Sequence, residues 1–162
     1  MEKVEISEGI LSSKETEEIV DLASMTGFFN SEELIILREL ACECYDKKNT
    51  GDYQFILGKN YSGKIIGFSC WGKIPGTASG YDLYWIAVDK KYQGNGLGRF
   101  ILETTEKEIH KKGGSRIYIE TSSRELYIPT TAFYKKSGYT KAAMLEDFYA
   151  DGDSKIIFQK VL

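Results

Sequence analysis

The sequence predicts an α/β fold built on one mixed sheet, and three observations lead to this prediction. Apolar residues occur partly at helical spacing and partly in short runs of strand length, which gives the element order β-α-α-β-β-β-α-β-α-β-β. In the middle, a strand, a helix and a further strand follow one another, which implies parallel neighbours joined by a right-handed crossover. The elements on either side have the spacing of hairpins, so antiparallel pairing is expected in the rest of the sheet.

Capping signals and periodicity predict two helices near the N-terminus. Ser12 and Glu15 have the spacing of a capping box, and apolar side chains recur at helical intervals from Ile19, so the first helix should end near Met25. The second helix should begin near Ser31, because two acidic residues follow in its first turn and an apolar stripe runs along one face. The members of that stripe are Leu34, Leu37, Ala41, Cys44 and Tyr45.

The central and C-terminal segments predict strands around one long helix. Segments 53–57 and 64–71 are rich in aromatic and β-branched residues and are joined by a turn-like segment, which predicts a hairpin. A third strand follows at 81–88, and an amphipathic helix runs from about Leu97 to the Lys-Lys-Gly-Gly sequence at 111–114. The remaining elements are a strand at 116–121, a short helix at 129–136 with proline in its first turn, and an antiparallel pair at 139–149 and 155–161.

Composition limits the class of protein. The 162 residues, of which 42% are apolar, suit a single domain spanning 1–162. The formal net charge is -3, from 21 basic and 24 acidic residues that are interspersed, so no nucleic-acid partner is expected. No run of about 18 apolar residues occurs, so we expect a cytoplasmic protein without membrane association. Three cysteines and one histidine lack metal-ligand spacing, so no metal is expected.

A glycine-rich turn lies between the strand that ends at Val88 and the helix that begins near Leu97. Glycine allows the backbone to approach a ligand closely, and the first N–H groups of a helix attract an anion, so this turn is a candidate phosphate site. Arg99 adds a cation in the first turn of the helix. The Walker lysine is absent and the glycine spacing differs from that of the dinucleotide fingerprint. A plain strand-to-helix loop remains the alternative interpretation at this point.

The run from Val88 to Arg99 and the sequence TAFYKKSGY at 131–139 both resemble motifs of the GNAT superfamily of N-acetyltransferases. The run from Val88 to Arg99 resembles the family's acetyl-CoA motif, a strand followed by Q/R-x-x-G-x-G/A at a helix start. About forty residues later, the sequence TAFYKKSGY at 131–139 resembles the family's FYxxxGF/Y segment. The resemblance covers essentially the whole chain, which is similar to small bacterial members of the family. It implies a central, mostly antiparallel mixed sheet of about six to seven strands, with two splayed parallel strands and about four flanking helices.

The resemblance also implies an activity. The chain would transfer the acetyl group of acetyl-CoA, its co-substrate, to a primary amine of a small molecule or protein, by direct attack in a ternary complex and without a metal. A homodimer through an exposed sheet edge is also implied. A non-catalytic acyl-CoA-binding module is the first alternative, and a nucleotide-binding or phosphate-transfer domain is the second.

Site residues follow from the resemblance by position. The Val88 N–H is expected to polarise the thioester carbonyl, and Tyr134 to protonate the departing thiolate, although it could instead be a core tyrosine. The cofactor-binding residues implied are Ile86, Val88, Gln93, Gly94, Asn95, Gly96, Leu97, Gly98, Arg99, Phe133 and Tyr134.

The general base is left open between two carboxylates and water. Asp82, six residues before Val88, is the first candidate, and Glu120 is the second. Each could equally be a structural carboxylate. Many family members have a cofactor-contacting asparagine seven residues before the tyrosine, whereas this chain has Tyr127. The acidic residues near the expected site, which could attract a cationic acceptor, are Asp82, Glu120, Asp147 and Asp151.

Overall fold

A seven-stranded sheet and four α-helices make up the architecture of residues 4–162, the part of the chain that the computed structural model describes. The strands are β1 (Glu5–Glu8), β2 (Tyr53–Lys59), β3 (Ile65–Lys73), β4 (Gly80–Val88), β5 (Arg116–Ser122), β6 (Thr140–Ala150) and β7 (Asp153–Val161). The helices are α1 (Ser13–Thr26), α2 (Ser31–Asp46), α3 (Leu97–Lys111) and α4 (Ile128–Lys136), and short 3-10 turns occupy Lys90–Tyr92 and Glu125–Tyr127. The predicted element order and mixed sheet are confirmed; the assignment of 1–162 to one domain stays a prediction.

The strand order in the sheet is β1-β2-β3-β4-β5-β7-β6, and within residues 4–162 only β4 and β5 run parallel. Their parallel ladder covers only three residue pairs, from Gly80 with Arg116 to Asp82 with Tyr118. Beyond Asp82 the two strands no longer pair with each other, although β4 continues on β3 and β5 continues on β7. The strands therefore leave a gap, here called the β4–β5 gap, between residues 83–88 and 119–122.

A β-bulge in β4 lies where the gap begins. Cys70 of β3 pairs with Trp85, whereas the next residue, Trp71, pairs with Leu83, so Tyr84 is an extra residue on β4. A bulge bends the strand that carries it and increases its local twist. This bend turns the end of β4 away from the direction of β5, which fits the loss of pairing after Asp82.

Helices cover both faces of the sheet. α1 and α2 pack on one face of β2, β3 and β4, where Leu37, Phe55 and Phe68 are fully buried. α3 and α4 pack on the other face, where Leu102 and Tyr134 join the core. The predicted stripe of α2 is wrong at Tyr45, which is 40% exposed because it lies beside the buried face formed by Leu37, Ala41 and Cys44. Within residues 4–162, no helix combines the length and apolar character needed to cross a bilayer.

The connection between α1 and α2 is fixed at both ends. Gly27 ends α1 in the left-handed conformation, with φ of 77°, and its N–H donates to the Ser24 carbonyl. Asn30 caps α2 through a capping box: its side chain accepts from the Glu33 N–H at 2.9 Å, and Glu33 accepts from the Asn30 N–H at 2.8 Å. Only Phe28 and Phe29 lie between these two caps, so the loop is short and well held.

A glycine in β3 sets how closely α3 approaches the sheet. A Cβ atom at Gly67 would lie 2.7 Å from Ile101 Cδ1 of α3 and 3.2 Å from the Ala87 carbonyl oxygen of β4. Ile101 is fully buried, so it has little room to move. This contact holds α3 against the sheet, and thereby holds its N-terminus next to the end of β4.

We expect Gly67→Ala to destabilise the fold by about 1–3 kcal/mol, because the added methyl group overpacks the α3 contact. Thermal unfolding should show a melting temperature lower by roughly 3–10 °C. Gly51→Ala is the matched control, because its Cβ atom would meet the flexible Lys47 side chain instead of a buried one. Equal melting temperatures for the two variants would contradict this account of α3 packing.

Candidate functional site

The glycine-rich turn presents backbone N–H groups at the start of α3. Gly94 and Gly96 have φ of 77° and 84°, which side-chain-bearing residues rarely adopt, and Gly96 is the N-cap of α3 without a side-chain cap. The first N–H to donate along the helix is that of Phe100, to the Gly96 carbonyl at 3.0 Å. The N–H groups of the preceding turn therefore have no partner within the helix and lie at its positive end. This geometry suits an anion such as a pyrophosphate.

The turn, the end of β4 and α4 meet at one place. Gln93 Nε2 donates to the Val88 carbonyl at 2.9 Å and closes the loop between strand and helix. A Cβ atom at Gly98 would lie 3.6 Å from Val88 Cγ2 and 3.7 Å from Phe133 Cε2, which are ordinary contact distances. The exposed Arg99 side chain donates to Glu103 at 2.8 Å. The glycine-rich turn and the segment at 131–139 are thus neighbours in the structure. Asn95 lies between Gly94 and Gly96, the two glycines with positive φ.

Backbone groups of β4 face the β4–β5 gap. The Asp89 N–H donates to the Ile66 carbonyl of β3 at 2.9 Å, which fixes the direction of the last N–H on that edge. N–H directions alternate along a strand, so the N–H groups of Ile86 and Val88 point to the opposite edge. That edge borders the gap, where β5 no longer supplies acceptors.

Tyr134 lies in the core on the α3–α4 face of the sheet, in the cluster that Leu83 and Ile86 of β4 also join, and is 5% exposed. Its ring packs against Phe133, Tyr139 and Phe158 at centroid distances of 5.4, 5.8 and 5.9 Å. Burial raises the pKa of Tyr134 well above its usual value, so the phenol is protonated at neutral pH. Its position satisfies the requirements of a core tyrosine and also keeps a proton available for donation.

The neighbour of Tyr134 is held by a polar network that sequence reasoning missed. The Tyr139 hydroxyl donates to Glu106 of α3 at 2.9 Å, and Lys160 of β7 donates to the other Glu106 oxygen at 2.8 Å and to the Ser137 carbonyl at 3.0 Å. Burial and the Glu106 carboxylate raise the pKa of Tyr139. The sequence pattern of β7 and the periodicity of α3 did not predict these hydrogen bonds. Glu106 is 33 positions from Tyr139 and 54 positions from Lys160.

The two candidate carboxylates lie on the same face of the sheet but differ in environment. Asp82 is half-buried at the closed end of the gap, and burial, together with the Glu120 charge, raises its pKa to about 6 despite the opposing effect of Lys155. Glu120 is exposed and pairs with Lys155 at 2.7 Å. Lys155 is only 13% exposed and its ammonium lies 3.9 Å from the centroid of the Phe148 ring.

The end of β6 forms a broad bulge over this face. Leu145 pairs with Lys155 and Ala150 pairs with Asp153, so four residues, 146–149, oppose a single residue of β7. Asp147 has φ of 50° and its carboxylate accepts from the Gly152 N–H at 2.8 Å. Asp147 therefore holds the turn, while Phe148 projects over Lys155; Asp151 is exposed at the turn itself. The sequence did not indicate a role for Phe148.

The three cysteines differ in exposure, and the pKa of the two buried thiols is raised. Burial raises the pKa of Cys44 to about 11 and that of Cys70 well above its usual value, which keeps both thiols protonated. Cys42 is exposed on α2. Among residues 4–162, no group of three or more His, Cys, Asp or Glu side chains is arranged to hold a metal ion.

Comparisons with known proteins agree on one family. The family model of the acetyltransferase (GNAT) domain matches residues 51–141. The [ribosomal protein bS18]-alanine N-acetyltransferase of Escherichia coli K12 is 28% identical over 107 residues, which is 66% of this chain and 69% of that protein.

Solved structures show the same fold. A GNAT-family protein of Desulfovibrio desulfuricans is 32% identical, with a TM-score of 0.94 over 98% of this chain and 99% of that one. An aminoglycoside 6'-N-acetyltransferase, solved with coenzyme A, has a TM-score of 0.77 at 19% identity, covering 97% of this chain and 96% of that one.

The raised pKa of Asp82 predicts a pH-dependent cost to stability. The folded-state pKa lies above the ordinary 3.8, so the folded protein retains a proton that the unfolded chain loses between about pH 4 and 6. The contribution of Asp82 to the free energy of unfolding therefore falls as pH rises through this window. Asp82→Asn should be more stable than the wild type at pH 7 by on the order of 1 kcal/mol, a value already reduced for solvent screening.

Urea unfolding at pH 4, 5, 6 and 7 would check this expectation. The difference between Asp82→Asn and the wild type should shrink as the pH falls. Asp151→Asn, at an exposed turn carboxylate, is the control and should show no such trend. A constant difference from pH 4 to 7 would show that Asp82 titrates normally.

Proposed function

Because this chain belongs to the GNAT acetyltransferase family, we propose that a primary amine attacks acetyl-CoA directly while the cofactor lies in the β4–β5 gap. The enzyme transfers the acetyl group of acetyl-CoA to an amine, which is the reaction of the family. One observation carries the assignment of the site: a helix N-terminus with unpartnered N–H groups stands at the open end of a gap whose ladder ends after three residue pairs. An extended ligand with a phosphate at one end fits both features.

The cofactor is proposed to bind through backbone groups. The pyrophosphate would accept from the N–H groups of residues 94–99, with Arg99 as a nearby cation. The pantetheine arm would then follow β4 and accept from the N–H groups of Val88 and Ile86. The coenzyme A complex of the structurally similar aminoglycoside 6'-N-acetyltransferase supports a CoA ligand for this fold.

The position of Tyr134 favours Ile86 over Val88 as the donor to the thioester carbonyl. Ile86 packs against the cluster that contains Tyr134, whereas Val88 packs only against the cluster at the start of α3. Ile86 is also two residues, or about 7 Å, further from the pyrophosphate end. We therefore assign the developing oxyanion to the Ile86 N–H and a pantetheine amide to the Val88 N–H.

Tyr134 is proposed to protonate the departing thiolate. Burial raises the pKa of Tyr134, so the phenol carries its proton when the thiolate forms beside it. The same burial disfavours the charged thiolate and raises its proton affinity, so proton transfer from the phenol remains feasible. Direct attack also agrees with the cysteines. Both buried thiols are held protonated, which makes them poor nucleophiles for an acyl-enzyme.

Asp82 is the better of the two candidates for the general base. Its pKa of about 6 leaves it ionised at neutral pH and close to the best range for proton transfer. Glu120 instead forms an ion pair with Lys155. Asp82 lies four residues before Ile86, on the order of 10 Å along a bulged strand, so the proton is proposed to pass through water.

The acceptor is proposed to be a cationic primary amine, on a small molecule or a protein. The relatives named above act on the alanine of a ribosomal protein and on aminoglycosides. Asp82 and Glu120 give this face acidic character, which attracts an ammonium group. Family membership and the buried proton donor favour catalysis over the alternative of a non-catalytic acyl-CoA-binding module.

We also propose that the protein is cytoplasmic and that it can form a homodimer. The three cysteines are free, which fits the reducing cytoplasm. β6 is an edge strand with exposed apolar side chains, Met144 and Leu145 among them, and it offers a surface for a homodimer.

Calorimetric titration with acetyl-CoA tests the proposed function, with ATP and NAD as controls. We expect binding in the micromolar range for acetyl-CoA alone, followed by CoA release with a panel of spermidine, kanamycin and an alanine-initiated peptide. Binding without transfer to any amine would favour the acyl-CoA-binding module. Binding of ATP in place of acetyl-CoA would revive the nucleotide-binding alternative.

We expect Tyr134→Phe to lower kcat by about 100-fold, because the leaving thiolate loses its proton donor. The dissociation constant of acetyl-CoA should change less than about twofold, since no contact of the phenol with the pyrophosphate end is proposed. Tyr81→Phe is the matched control: Tyr81 is buried in the same cluster, and its hydroxyl donates to the Lys112 carbonyl at 3.3 Å. Unchanged kcat in Tyr134→Phe would remove this residue from the mechanism.

A further inference from the structure

The loop between α1 and α2 reaches both sides of the β4–β5 gap. Phe29 packs on Trp85 of β4 with ring centroids 4.7 Å apart. Phe28 packs in a T-shaped contact on Tyr127, at 5.6 Å, in the 3-10 turn that follows β5. Two adjacent residues thus contact the elements that diverge at the gap. We call this segment the Phe28–Phe29 strap.

A hydrogen bond fastens the strap on the β5 side. The Tyr127 hydroxyl donates to the Phe28 carbonyl oxygen at 2.9 Å, across 99 positions in the sequence. The Tyr127 hydroxyl therefore contacts the strap. Many family members have a cofactor-contacting asparagine at the matching position. The departure from the family pattern at this position therefore coincides with a contact of a different kind.

Tyr127 is itself held in place from the other side. The Arg124 guanidinium lies 5.5 Å from the centroid of the Tyr127 ring and pairs with Asp153 of β7 at 3.2 Å. Asp153 also accepts a hydrogen bond from Ser122 at the end of β5. This chain of contacts connects the strap to β5 and β7, the half of the sheet beyond the gap.

The strap lies on the same face of the sheet as the candidate base and is anchored at both ends. Trp85, which Phe29 contacts, packs with α1 and α2, on the face that carries Asp82 and Glu120. The caps at Gly27 and Asn30 anchor both ends of the strap. An apolar segment that bridges the gap on this face would limit the access of water to anything bound beneath it.

We propose that Tyr127 is a positioning residue that holds the strap closed over bound acetyl-CoA, so that the thioester reacts with the amine in preference to water. The proposal rests on the proposed function. In the unwanted reaction, a water oxygen attacks the thioester carbon, the C–S bond breaks, and acetate and the CoA thiol form. Tyr127 acts on this partition through Phe28 and Phe29 without contact with the reacting atoms.

Tyr127→Phe tests the proposal, because it keeps the ring contacts and removes only the hydroxyl. We expect CoA release from acetyl-CoA in the absence of any amine to increase about 3- to 10-fold, as for the loss of one hydrogen bond. Amide hydrogen exchange of the peptide covering residues 26–31 should also become faster. Tyr61→Phe, at an exposed turn tyrosine, is the control for both measurements.

The outcomes separate this proposal from the one on which it rests. If the wild type does not bind acetyl-CoA in calorimetry, the proposed function fails, and the role of Tyr127 fails with it. If the wild type binds acetyl-CoA, and Tyr127→Phe matches it in amine-free CoA release or in exchange of the strap, the role of Tyr127 alone is overturned. A general loss of thermal stability without a change in hydrolysis would assign Tyr127 a structural role and also overturn it.

Discussion

The short parallel ladder between β4 and β5 is the constraint on which the site depends. Each strand keeps its antiparallel partner, β3 or β7, while the two separate after Asp82. The facing backbone groups consequently lack strand partners, and an unpaired backbone group away from water costs about 1–3 kcal/mol. In the binding mode proposed above, a ligand with amides along its length satisfies them. Recognition of the donor would then depend mainly on the backbone and the glycine turn, which are the features that two local sequence motifs can encode.

Much of the fold could be predicted from sequence because local signals determine it. The Ser12 cap, the 111–114 stop and the aromatic and β-branched content of β2 and β3 act within a few residues, and the corresponding elements begin and end close to the predicted positions. The glycine turn was predictable for the same reason, since Gly94 and Gly96 need a positive φ that other residues avoid. The roles assigned to individual site residues stay predictions.

The proposed acceptor side, which is the face of the sheet with Asp82 and Glu120, could not be predicted in the same way. Contacts between distant segments form it. Tyr127 and Phe28 are 99 positions apart, and the pairing of Lys155 with Glu120 depends on a strand register that no single segment encodes. The bulge at Tyr84, which reorients the end of β4, also has no glycine or proline to mark it. The environments of the two carboxylates depend on contacts between these distant segments. The raised pKa of Asp82 and the ion pair of Glu120 could therefore not be predicted from either segment alone.

The exposure of β6 has a consequence for the evolution of substrate range. Nearly every residue of this strand is exposed, and four residues near its end, 146–149, leave the ladder. Exposed substitutions usually change stability by less than about 0.5 kcal/mol, so this rim can drift with little penalty to folding. The proposed donor site has less freedom, because Gly94 and Gly96 need a positive φ, and Leu97 and Tyr134 are buried in the core. We therefore expect a lineage of such enzymes to change its acceptor through rim residues such as Phe148, which lies over Lys155 near the proposed base, while its donor chemistry remains unchanged.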